Sequence, residues 1–86
     1  MKKPRVLAQM EEANILSKMP LVEIAGKCRV LIENHLGVLA YSPTEIQIKV
    51  SYGKLAVTGS CLKLMEMNKE QLVITGNILA VELHGR

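Results

Sequence analysis

Eighty-six residues make one domain, and a core drawn from so short a chain supplies only a few kcal/mol, roughly 3 to 5, so self-association is an expected second source of stability. Hydrophobic residues are 49% of the chain, yet Phe and Trp are absent and only Tyr41 and Tyr52 are aromatic, which excludes a stacking platform for nucleic-acid bases. The net charge of +3 is equally local: Lys2, Lys3 and Arg5 hold three of the eleven basic residues and the other eight balance the eight acids, which argues against a broadly basic domain face.

Residues 1–5 read as a disordered basic arm. Lys2-Lys-Pro-Arg5 has the charge that opens a secretory signal, but Gln9, Glu11, Glu12 and Asn14 break the apolar stretch that has to follow. No signal peptide or membrane span is expected, and a cytoplasmic chain would keep Cys28 and Cys61 reduced. Over residues 6–19 the pattern is helical, with Val6, Met10 and Ala13 on one face, no internal Gly or Pro, and Pro20 as the stop.

Residues 20–86 read as a single β domain. Leu21-Val-Glu-Ile-Ala25, Gly26 and Cys28-Arg-Val-Leu-Ile-Glu33 form a strand, a glycine and a second strand. Asn34-His-Leu-Gly37 is a tight connection, because Asn, His and Gly tolerate left-handed backbone. It leads into Val38-Leu-Ala-Tyr41. Ser42, Pro43 and Glu45 have the spacing of a helix capping box, but Glu45 to Ser51 alternates strictly, so Ser42–Thr44 is a turn and Ile46, Ile48 and Val50 face inward. Tyr52-Gly53 turns the chain into Lys54–Thr58, with Leu55 and Val57 inward.

The next stretch comes twice. Leu55-Ala-Val-Thr-Gly-Ser-Cys-Leu-Lys-Leu-Met-Glu66 and Leu72-Val-Ile-Thr-Gly-Asn-Ile-Leu-Ala-Val-Glu-Leu83 align Gly59 with Gly76, an offset of 17 residues, with the polar turn Met67–Glu70 between them. Each copy is expected to be two strands separated by a glycine that takes positive φ or sits in a bulge. The count is about eight short strands in a mainly β fold, either a compact two-layer sandwich or a short solenoid-like arrangement.

Ile32-Glu-Asn-His-Leu-Gly-Val38, Gly53-Lys-Leu-Ala-Val-Thr-Gly59, Leu72-Val-Ile-Thr-Gly76 and Val81-Glu-Leu83 together resemble the YabP/YqfC family of sporulation proteins, nearest the YqfC branch. The likeness runs from about Pro20 to Leu83. It implies a small protein of the mother-cell cytoplasm in an endospore-forming bacterium, needed for development of the spore envelope, with no catalytic residue assigned. The expected function is a non-enzymatic assembly factor for the cortex or coat, acting through contacts with a protein partner, membrane-associated or not, and with itself. A small β-barrel regulator that binds nucleic acid through the basic arm is the alternative.

Candidate sites are few. Cys28, His35, Cys61 and His84 supply the inventory of a zinc site but not its close ligand pairs, so no metal and no cofactor are expected. Both cysteines follow a repeat glycine by two residues, which reads as a repeated buried packing position. Nucleophilic catalysis needs a base and an orienting acid, and the chain has no Asp and no strained nucleophile turn, so no catalytic residue is expected. Leu31, Ala56, Val73 and Ala80 fall at outward positions, and Met65 and Met67 extend the apolar run beyond Leu64. Leu31, Val73, Met65 and Met67, with the Glu33-Asn34-His35 turn, are therefore the candidate partner contacts.

Overall fold

Six strands run through the described residues: β1 (Leu21–Ala25), β2 (Arg29–Glu33), β3 (Val38–Tyr41), β4 (Glu45–Val50), β5 (Gly53–Met67) and β6 (Gln71–Gly85). The structure, a computed structural model, describes residues 19–85. The arm expected over 1–5 and all but the last residue of the helix expected over 6–19 lie outside them. The described residues contain no helix. The strands form one antiparallel sheet in the order β1-β2-β6-β5-β4-β3.

The expected count of about eight strands is corrected to six, because the repeat glycines bend strands without ending them. β5 and β6 are each 15 residues long and stay paired through the bend. The ladder slips between Thr58 and Gly59 and again between Ser60 and Lys63, so surplus residues bulge out while hydrogen bonding continues on either side. Gly76 has φ of 138°, whereas in β5 the left-handed residue is Cys61, at 55°, and Gly59 is needed for another reason. A Cβ on Gly59 would run into the carbonyl oxygen of Asn77, and one on Gly76 would lie 2.6 Å from the Cys61 carbonyl oxygen. The two bends are pressed backbone to backbone.

Each bend is also tied to the tip of an outer hairpin. Gly59 N–H donates to Thr44 O (3.1 Å) and Leu62 N–H to Pro43 O (2.9 Å), while Gly76 N–H donates to Cys28 O (3.3 Å) and Ile78 N–H to Lys27 O (2.7 Å). The registers repeat in the same way. Val30 and Ile32 of β2 lie opposite Ile74 and Leu72 of β6, just as Ile46 and Ile48 of β4 lie opposite Val57 and Leu55 of β5. The 17-residue offset read in the sequence is thus an internal two-fold relation, in which β1, β2 and β6 correspond to β3, β4 and β5.

The bends bring the inner faces of the two halves together. Val30, Ile32, Ile46, Ile48, Leu55, Val57, Leu72 and Ile74 are fully buried and join Leu62 and Ile78 in one cluster. A lone sheet leaves both faces wet, so complete burial of one face means that each half covers the other. A fully buried side chain of this kind contributes about 1.5–3 kcal/mol. Cover stops short of the edge, where all five residues of β1 remain exposed.

Candidate functional site

The link between β2 and β3 is built on left-handed backbone: Asn34 has φ of 64° and Gly37 of 125°. This turns His35 inward, where it is 7% exposed, between two backbone groups. Gly37 N–H donates to His35 Nδ1 at 3.0 Å, so Nδ1 must accept, and the ring proton sits on Nε2, which donates to Asn68 O at 2.8 Å. Asn34 N–H donates to Glu70 O at 2.7 Å and its Nδ2 to Met19 O at 2.9 Å. The β5–β6 tip, which accepts from His35 at Asn68 O and from Asn34 N–H at Glu70 O, is itself closed by Asn68, whose Oδ1 accepts from Glu70 N and Gln71 N, both at 2.9 Å. Glu33, Asn34, Asn68, Glu70 and Gln71 surround a shallow polar hollow of about 230 Å³, smaller than the roughly 300–1,000 Å³ of small-molecule sites.

The other candidate contacts scatter over the sheet. Leu31 lies across from Val73 on the outer face of β2 and β6, beside a hollow of about 190 Å³ lined by Leu21, Val22, Glu23 and Glu33. Val73 is buried at 6% and Leu31 is half-buried. Met65 and Met67 stand out at the end of β5, 61% and 55% exposed. Ala56, also on an outer face, is buried, and Ala80 is half-buried.

The cysteine reading is corrected, because both thiols are free and exposed. Two residues past the glycine is a turn in one copy and a bulge in the other, and neither place points a side chain at the core. Cys28 Sγ lies 3.6 Å from Ala25 O within the β1–β2 turn, and Cys61 is the left-handed residue of the β5 bend. Among the described residues, no group of three or more His, Cys, Asp or Glu side chains converges on a metal position.

One constellation escaped the sequence reading. Lys49, Lys54 and His84 form a single cross-strand row on the outer face of β4, β5 and β6, and with Leu39, Gly53 and Gly85 they line an open hollow of about 340 Å³. Lys54 Nζ donates to Gln47 Oε1 (3.3 Å), Gln47 Nε2 to Glu45 Oε2 (3.0 Å), and His84 Nε2 lies 3.4 Å from Glu82 Oε1. The Lys49–Lys54 pair was not readable, because the turn is Ser51-Tyr52 and not the expected Tyr52-Gly53, which would set Ser51 opposite Lys54. Nor was His84, because the bulges in β5 and β6 reset its register.

No helix among the described residues is long and apolar enough to cross a membrane. No solved structure matches the chain. The protein YqfC of Bacillus subtilis (strain 168) is 23% identical over 65 residues, which cover 76% of this chain and 70% of that protein. The sequence profile of the YabP family matches residues 17–86, a span that takes in every strand, and the chain belongs to that family.

Proposed function

We propose that this protein is a non-enzymatic assembly factor of the sporulating mother cell, contributing to the spore envelope through contacts made by its β surface. Membership of the YabP family supports the sporulation setting. The observation that carries the assembly role is apolar surface left outside a core that is already complete. Leu21 and Ile24 on β1, Leu39 and Tyr41 on β3, and Met65 and Met67 on β5 are all exposed. Among the described residues β1 and β3 are also the two ends of the sheet order, and each is paired there along one edge only. Such edges accept strands from a partner, and methionines adapt to its shape. The candidate contacts Leu31, Glu33, Asn34, His35 and Val73 lie between them, on β2, its following turn and β6.

The test is made in the sporulating host. Substituting Ile24, Met65 and Met67 by Ser should leave the protein folded and at normal level, yet lower the yield of heat-resistant and lysozyme-resistant spores. Deletion of the gene with no change in spore resistance would overturn the reading.

A further inference from the structure

The two halves are alike in backbone, and their central strands β2 and β4 carry opposite charges at matching outward positions. By the internal two-fold relation, the outward residues Arg29, Leu31 and Glu33 of β2 correspond to Glu45, Gln47 and Lys49 of β4. The sign is inverted at both ends of the strand. Neighbouring strands extend the inversion: the row at the bend end reads Arg29, Thr75, Lys63 in one half and Glu45, Thr58, Ala80 in the other. At the far end, Glu33 and the nearby Glu70 face the polar hollow, while Lys49, Lys54 and His84 form the basic row. An apolar side chain sits beside each set, Leu31 among the acids and Leu39 among the bases.

We propose that the outer face of β1, β2 and β6 of one copy stacks on the outer face of β3, β4 and β5 of the next, with β2 lying over β4 in the same direction. Glu33 then meets Lys49 and Lys54, and Arg29 meets Glu45. The occupant of each face is a second copy of this chain, because along β2 and β4 the charges of one face meet their opposites on the other, Glu33 against Lys49 and Arg29 against Glu45. A like-on-like contact with strands antiparallel would also pair Glu33 with Arg29 but stops at a dimer, so growth that ends at two copies overturns the proposal. A contact between two different faces leaves one of each free, so it propagates into a chain of copies unless it closes into a ring. The proposal deepens the assembly reading and rests on it. It names the partner and the surface.

The experiment is sedimentation velocity on the full-length protein over a range of concentrations and salt. Wild type should grow in size with concentration and lose that growth as salt rises, since about 0.1 M salt already screens exposed charges beyond roughly 10 Å. The paired reversal Lys49→Glu with Lys54→Glu sets carboxylates against Glu33, and Glu23→Lys with Glu33→Lys sets amines against Lys49 and Lys54. Each should weaken self-association by at least about tenfold, and mixing the two variants should restore it. Circular dichroism establishes that each variant is folded, and the neutral pairs to Gln, expected to weaken association less, replace any variant that is not. A wild type that stays monomeric, a reversal variant that associates as wild type does, or a mixture that stays monomeric overturns the proposal. Such failure leaves the spore-resistance test untouched, because that test uses other residues and another readout.

Discussion

Cys61 holds its backbone at φ of 55° with an exposed side chain that fastens nothing to the core. Left-handed backbone costs a residue bearing Cβ roughly 1–2 kcal/mol, and glycine avoids that cost at some expense in chain entropy. Cys61→Gly should therefore stabilise the protein by about 0.5–1 kcal/mol. For a domain this small, 1 kcal/mol moves the thermal midpoint by about 4–8 °C, so the gain is measurable by calorimetry. Gly76→Ala at the facing bend should act the other way and more strongly. It adds a Cβ 2.6 Å from the Cys61 carbonyl oxygen on a backbone at φ of 138°. A lower midpoint for Cys61→Gly would mean that the bend is not strained at Cys61.

The β2–β3 link joins elements that are otherwise separate, and His35 is its fastening. The ring bonds Gly37 within the link and Asn68 on the β5–β6 tip. His35→Ala leaves a buried N–H and a carbonyl without partners, a loss of about 1–3 kcal/mol. Urea unfolding should show an earlier midpoint with unchanged slope, because the surface exposed on unfolding stays the same. An unchanged midpoint would mean that water replaces the ring without cost. The sequence foretold a turn at Asn34–Gly37 from residue types that accept left-handed backbone, but the target of His35 lies 33 residues further on and no local rule finds it. Alternation at Ile46, Ile48 and Val50 was readable because one strand's pleat decides it. The misread strand count has the same origin in reverse, since whether Gly59 breaks or bends a strand depends on Asn77 and Thr44, which meet it from elsewhere in the chain. The cysteines follow from this too, because a bulge resets which face the next side chain takes.

At the scale of the molecule, stability is concentrated where the two halves interlock and drains toward the edges. The first half of β6 is paired on both sides, with β2 and β5, and buries Leu72 and Ile74 completely. Among the described residues β1 has one neighbour, and its inward-register residues Val22 and Ile24, opposite the buried Ile32 and Val30, remain exposed. Few buried contacts and one-sided pairing define a segment that opens on its own, at a free energy below that of global unfolding. Hydrogen exchange in dilute solution should therefore show amides of residues 21–25 exchanging at least about a hundredfold faster than those of 72–75, with β2 closer to β6 than to β1. Because β1 flanks the outer face that carries Glu33, its protection should rise with protein concentration if copies stack there, while β6 stays at the global limit throughout. Equal protection of β1 and β6 at the lowest concentration would require a permanent cover over Val22 and Ile24, and the free edge on which the assembly reading depends would then be occupied within the single chain.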